Sequence, residues 1–176
     1  MQILTTLQQA DLRMFAWLFR SGERYLLITP ARALSHSGDG YLHVLVPLLL
    51  LAMGVERVGD LVLMIVLALM IERPVYWVLK NSLKRRRPAQ YVPGFRSMIV
   101  ASDQFSFPSG HSSAAFLLVT CLCVLYGAPA AAMLLWAAGV AVSRVILGVH
   151  FPGDLVAGAS MGTVIALMAG SLLALY

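Results

Sequence analysis

Charge is scarce in this chain. Only 12% of its 176 residues are charged, while 60% are hydrophobic and the mean hydropathy is +0.82. A water-soluble domain of that composition would have almost no polar coat, so the sequence belongs in a bilayer. Acidic residues are scarcer still, eight against thirteen Lys and Arg, and they are dispersed along the chain. That dispersal offers no clustered carboxylates for a pair of catalytic metal ions. Cysteine is limited to Cys121 and Cys123, two apart in an apolar helix and so pointing in different directions. This argues against a disulfide or a thiolate metal site and for inert buried thiols. An apolar leader is also missing: Gln8 and Gln9 stand where the hydrophobic region of a signal peptide would be, so the spans themselves are expected to direct insertion.

Long apolar runs fill the rest. Tyr41 to Val55, Val58 to Leu79, Ser112 to Tyr126, Ala128 to Leu147 and Leu155 to Tyr176 each approach the roughly 20 residues that a membrane helix needs. They predict an all-α fold, a polytopic membrane bundle of five to six helices in a single domain over residues 1–176. In the N-terminal part, 1–36, Arg13, Arg20, Glu23, Arg24 and Arg32 interrupt a pattern that keeps Leu12, Phe15, Trp17, Leu18 and Phe19. This reads as one or two amphipathic helices at the interface, or a partly spanning segment. Pro88 to Phe107 is expected to be one long irregular loop. Inside the second span, Glu72 and Arg73 break the apolar pattern and Pro74 is expected to kink the helix. Charge at that depth needs a reason.

Antiparallel neighbours alternate direction, so the end of span two, the start of three, the end of four and the start of five share one membrane face. The polar clusters fall at those four places. Lys80 and Arg87 are seven apart and would share a helix face if the helix persists that far, aiming both cations at one anion. Lys84, Arg85 and Arg86 between them read as a snorkelling belt at the headgroups. Pro108-Ser109-Gly110-His111 opens the third span, with Ser109 placed to cap and Gly110 letting an anion approach the free backbone N–H groups. Ser143-Arg144 ends the fourth, where arginine is costly unless it faces the bundle interior. His150-Phe151-Pro152-Gly153-Asp154 opens the fifth. A carboxylate four residues after a histidine can accept its N–H and fix the tautomer.

Taken together these read Lys-x6-Arg-Pro, Pro-Ser-Gly-His and Ser-Arg-x5-His-x3-Asp. The chain resembles the type 2 phosphatidic-acid phosphatase superfamily, which includes bacterial lipid phosphatases and the vanadium haloperoxidases. All three motifs are present from Lys80 to Asp154 with no departure at a defining position, and Asp11, Phe15 and Ser37-Gly38-Asp39-Gly40 also look like the short bacterial members. The resemblance implies that 37–176 is a catalytic bundle, that His150 is the nucleophile and His111 the general acid, and that Asp154 orients His150. It implies that Lys80, Arg87 and Arg144, with Ser109 and the Gly110 N–H, bind the phosphate. Three fixed cations can do the electrostatic work of a metal, so no metal or other cofactor is expected.

The expected partner is a lipid phosphate in the bilayer: undecaprenyl pyrophosphate, phosphatidylglycerol phosphate, phosphatidic acid or a lipid A phosphate. The net charge of +5 lies beside the spans rather than on a soluble face, which favours anionic lipid over nucleic acid. Two alternatives stand beside hydrolysis, a peroxide-dependent halide oxidation and a non-enzymatic lipid-binding or transporting bundle. Sidedness is pulled two ways. Lys80, Lys84, Arg85, Arg86, Arg87 and Arg96 against Arg57 would place the active face in the cytoplasm. The resemblance instead implies the outer side of the bacterial inner membrane, and a periplasmic-facing site is the expectation adopted.

Overall fold

The computed structural model describes residues 2–20 and 24–175. Glu23 in the N-terminal pattern and Tyr176 at the end of the fifth predicted span lie outside them. Among the described residues every regular element is helical: α1 (Gln2–Arg20), α2 (Arg24–Ser37), α3 (Leu42–Ala52), α4 (Val58–Leu83), α5 (Pro88–Tyr91), α6 (Gly110–Tyr126), α7 (Ala128–Ala131), α8 (Met133–Ile146) and α9 (Pro152–Leu172). The stretches Val58–Tyr91, Ala128–Ile146 and Pro152–Leu172 are long and apolar enough to cross a membrane. Helices α3 and α6 are apolar but shorter. At 1.5 Å per residue α6 reaches about 26 Å and α3 about 17 Å, against a hydrocarbon core of about 30 Å.

Helix α6 tolerates that shortness because it is the central element. Its Leu117, Leu118 and Cys121 pack with Leu61, Met64, Ile65 and Ala68 of α4 and with Ile165, Ala166 and Ala169 of α9. The closest approach is set by Gly158 and Gly162, one turn apart on α9. A Cβ at Gly158 would lie 2.3 Å from Ser109 O, and one at Gly162 would lie 2.1 Å from Ser113 O. This is the small-x-x-x-small device that lets membrane helices touch backbone to backbone. Cys121 and Cys123 are both free.

The N-terminal segment forms two helices that dock on the bundle. Ala31 of α2 is buried, and Leu34 fills the space over Gly139 of α8. Phe15 of α1 is buried edge-on against Phe95 and Phe151, with centroids 5.1 and 5.5 Å apart.

Three local expectations need correction. Helix α4 stops at Leu83, where Lys84 takes a left-handed conformation (φ 46°), so Lys80 and Arg87 do not share a helix face. Arg87 is extended and precedes the short helix α5, which interrupts the long loop and starts at Pro88, a residue pre-set for a first helical position. Arg85 is not a solvated belt residue: it turns inward onto two carboxylates, as described below. Pro74 lies inside α4, which continues past it to Leu83.

Candidate active site

Four chain segments meet at the end of the bundle where α4 stops and α6 and α9 begin. Ser109 is extended and caps α6, its Oγ accepting from Ser112 N at 3.3 Å and Ser112 Oγ at 2.9 Å. Ser109 N donates to Asp154 O at 3.0 Å, which ties the first turn of α6 to the first turn of α9. Asp154 in turn caps α9, accepting from Phe151 N at 2.8 Å. The two helix N-termini are thus one unit, with their partial positive ends directed to the same side.

His150 is 2% exposed. Its Nε2 lies 3.4 Å from Arg87 Nη1, and the residue lines a cavity of about 540 Å³. Its Nδ1 lies 3.6 Å from Asp154 Oδ2, longer than a hydrogen bond, and is a buried polar atom without a partner among the described residues. Burial, the largest influence, pushes the ring down to about 4 against the pull of Asp154, so at neutral pH the imidazole is uncharged. The Asp154 carboxylate is occupied elsewhere: Oδ1 accepts from Arg85 Nη1 at 2.6 Å and Oδ2 from Ser106 Oγ.

The other histidine approaches from α6. His111 Nε2 is 2.8 Å from Asp39 Oδ1, and the second oxygen of Asp39 is 2.5 Å from His36 Nδ1. His111 and Asp39 line both the 540 Å³ cavity and an adjoining one of about 270 Å³ that also includes Arg32, His36 and Arg144. Arg144, 4% exposed, donates to Ser35 Oγ, while its Nε is buried and unpaired among the described residues. An unsatisfied buried donor costs about 1–3 kcal/mol, a penalty that an anion in the cavity would relieve.

The cations of the first motif converge on one carboxylate. Lys80 Nζ is 2.8 Å from Asp103 Oδ2, Arg87 donates to Asp103 Oδ1, and Tyr76 OH donates to Asp103 Oδ2 at 2.7 Å. Burial would raise the Asp103 carboxyl, but the hydrogen bonds from Lys80 and Tyr76 and the charges of Lys80 and Arg87 outweigh it and hold it at about 2.

Arg85 lies behind the His150 partner Asp154. It bridges Asp154 and Asp11 at 2.6 Å each, and its guanidinium stacks 4.5 Å over the Phe151 ring. Asp11 also accepts from Gly153 N at 2.8 Å. A Cβ at Gly153 would meet Asp11 Oδ2 at 2.6 Å, so a larger residue here would have to displace the Asp11 carboxylate.

A sequence model described as the PAP2 superfamily matches residues 57–173. This chain belongs to that superfamily. It is 26% identical over 145 residues to the decaprenylphosphoryl-5-phosphoribose phosphatase of Mycobacterium tuberculosis, spanning 82% of this chain and 80% of that protein. The protein of that description from Mycolicibacterium smegmatis is 35% identical over 81 residues, 46% of this chain and 43% of the other. Among solved structures, Aquifex aeolicus LpxE superposes with a TM-score of 0.77 at 26% identity, over 91% of this chain and 94% of that one. A PAP2-type phosphatidylglycerolphosphate phosphatase from Bacillus subtilis gives 0.75 at 23% identity, over 96% and 87%, a likeness of fold alone.

In this PAP2 protein His150, His111, Gly110, Arg87 and Arg144 all line one cavity. Lys80 stands behind it, held by Tyr76 OH at 2.6 Å, Asp103 at 2.8 Å and Pro108 O at 3.3 Å. Ser109 is wholly buried and spends its hydroxyl on the α6 cap. Sequence reasoning gave no site role to Tyr76, His36 or Asp103, read Arg85 as a belt residue, and noted Asp11 and Asp39 only as features shared with the short bacterial members.

Proposed function

We propose that this membrane-embedded PAP2 protein is a lipid phosphatase that hydrolyses a phosphomonoester or diphosphate of a lipid through a phosphohistidine at His150. The observation that carries the reading is that His150 and His111 line one cavity with Arg87 and Arg144, at paired helix N-termini.

The neutral His150 Nε2 attacks phosphorus, forming an N–P bond as the P–O bond to the lipid breaks. Asp154, 3.6 Å from Nδ1, moves within hydrogen-bond range as the ring gains charge; such contacts tighten in the reacting complex. Arg87, Arg144 and the Gly110 N–H neutralise the phosphoryl oxygens, with Lys80 released toward them when an anion competes with Asp103. His111 gives its proton to the leaving lipid oxygen. It then takes a proton from water, whose oxygen attacks phosphorus and breaks the N–P bond to release inorganic phosphate and regenerate His150. Each carboxylate near the cavity already answers a cation or histidine: Asp103 to Lys80 and Arg87, Asp154 to Arg85, Asp39 to His111 and His36. This supports a metal-independent reaction.

The reading carries a topology in which the site faces the periplasm from the inner membrane and the end of α9 lies in the cytoplasm. Phosphate release should be measured from a panel of lipid phosphates and diphosphates, with purified protein in EDTA. Wild type turns over at least one of them and His150→Ala none; EDTA-sensitive activity restored by magnesium would refute the metal-independent mechanism. An alkaline-phosphatase reporter fused after Tyr176 should be silent, and strong activity would reverse the orientation.

A further inference from the structure

The catalytic reading leaves Glu72 and Arg73 without a task. They sit on α4 two turns before Lys80, about 10 Å further into the bundle along the helix axis. An arginine at such depth is retained where it faces a cavity or a partner. Arg73 does both. Its side chain is 51% exposed and lines the 540 Å³ cavity together with His43, Val44 and Leu69, while its Nε donates to Glu72. Glu72 is wholly buried and is itself anchored by Ser113 Oγ at 2.6 Å. Among the described residues the Glu72 bond is the guanidinium's only hydrogen bond, so its Nη groups have no protein acceptor while the residue lines the cavity.

Tyr76 connects this arginine to the phosphate cradle. The Arg73 guanidinium carbon lies 5.1 Å from the Tyr76 ring centroid, and Lys80 Nζ lies 4.6 Å from the same centroid. Arg73, Tyr76 and Lys80 recur every three or four residues and form one continuous row along α4. The cavity therefore has two cationic stations. One surrounds His150, and the other is Arg73, set toward the apolar lining of Val44 and Leu69, where a lipid chain would leave.

We infer that Arg73 forms a second anion subsite, and that the substrate carries a second phosphate between the scissile phosphate and its apolar chain. The inference rests on the lipid-phosphatase reading above. A guanidinium fork held at Nε by a fixed carboxylate presents its remaining donors in the geometry that matches phosphate oxygens bidentately. Two substrate types share this chemistry: a lipid diphosphate, with the phosphates directly linked, and a phosphoglycosyl lipid phosphate, with a sugar between them. In a diphosphate Arg73 also stabilises the leaving lipid monophosphate, because the negative charge that grows on the departing group lands beside it.

The test compares three prenyl substrates with the same chain, a monophosphate, a diphosphate and a phosphosugar-linked monophosphate, on purified wild type, Arg73→Gln and Arg73→Lys. Wild type is expected to prefer one of the two-phosphate substrates over the monophosphate in kcat/KM, and the preferred one identifies the spacing. That preference should fall about tenfold in Arg73→Gln and be partly regained in Arg73→Lys. A wild type with no such preference overturns the inference without any variant. So does an Arg73→Gln protein whose preference stays within about threefold of wild type, because a merely structural partner for Glu72 would lower all three substrates together. Wild type that hydrolyses none of the three would instead bring down the phosphatase reading, and this inference with it.

Discussion

His111 Nε2 and Asp39 Oδ1 are 2.8 Å apart, joining the first turn of α6 to the turn between α2 and α3. The bond gives the second histidine a carboxylate of its own, as His150 has Asp154. Burial would raise the Asp39 carboxyl, but the hydrogen bonds from His111 and His36 outweigh it and hold it below its ordinary value. Asp39 is therefore ionised at neutral pH and opposes the burial and the Arg144 charge that together lower His111 below its ordinary value. Gly38 fixes the turn that carries it: a Cβ there would meet a Val140 methyl at 2.5 Å.

Asp39→Asn should lower kcat on a lipid substrate by roughly 10- to 100-fold, part of the roughly 10²- to 10⁴-fold that a positioned general acid contributes. An aryl phosphate, whose leaving group needs no proton, should lose far less. Equal losses on both substrates would show that Asp39 shapes the cavity and does not act through His111.

The acid limb of kcat/KM should carry an apparent pKa near 4, the value to which burial lowers His150, instead of the ordinary 6.5. His150 must be neutral to attack, so activity is lost as pH falls through that value. Stability follows the same direction. The unfolded chain binds a proton at 6.5 that the folded one refuses until about 4, so the contribution of His150 is complete above 6.5 and declines as pH falls toward 4. A pH profile in detergent micelles checks the first statement and thermal unfolding across the same range checks the second.

The apolar runs gave the bundle because five spans leave few other packings, and the motif residues gave the cavity because each cluster sits at a helix end. What stayed hidden depended on tertiary contact. In the run Lys84 to Arg87 the residues are chemically alike, and the partners that single out Arg85 lie 74 and 69 positions away in Asp11 and Asp154. Nothing local announced the end of α4, because Lys84 and not glycine takes the left-handed cap. Tyr76 looked like one more aromatic on an apolar helix, and only the fold brings Asp103 against it from the loop. The start of α5 was missed although Pro88 is the kind of residue that begins a helix, because the irregular pattern that follows it read as one long loop.

Arg85→Ala should be among the most damaging substitutions outside the motifs. It leaves Asp154 and Asp11, both buried, without their shared cation, and breaking a buried pair this way costs about 3–5 kcal/mol. It also frees Asp154 from the position that faces His150, so kcat should fall together with the unfolding temperature. Asp11→Asn removes one arm of the bridge while leaving Asp154 paired. It should loosen α1 with a smaller loss of activity, read by limited proteolysis of the N-terminal helix. Wild-type stability in Arg85→Ala would place this network outside the fold's essential contacts.

Gly158 and Gly162 occupy equivalent places in the α6–α9 contact but should differ in what they damage. In Gly162→Ala the new methyl would sit 2.1 Å from Ser113 O, inside the bundle and a turn beyond the catalytic groups. The helices must separate, and overpacking of this kind costs about 1–3 kcal/mol, seen as a lower unfolding temperature with most kcat retained. In Gly158→Ala the clash is with Ser109 O at 2.3 Å, and Ser109 caps α6 and bonds Asp154 through its N–H. Moving it shifts the Gly110 N–H and the first turn of α9 at once, so the two helix N-termini no longer converge on a single anion. A misplacement of about 1 Å at reacting groups can cost on the order of 100-fold in rate. Gly158→Ala should therefore lose far more kcat than Gly162→Ala for a comparable loss of stability. Parallel kcat and unfolding measurements on the two variants decide the matter, and equal activity losses would mean that the helix N-termini are not rigidly coupled through this contact.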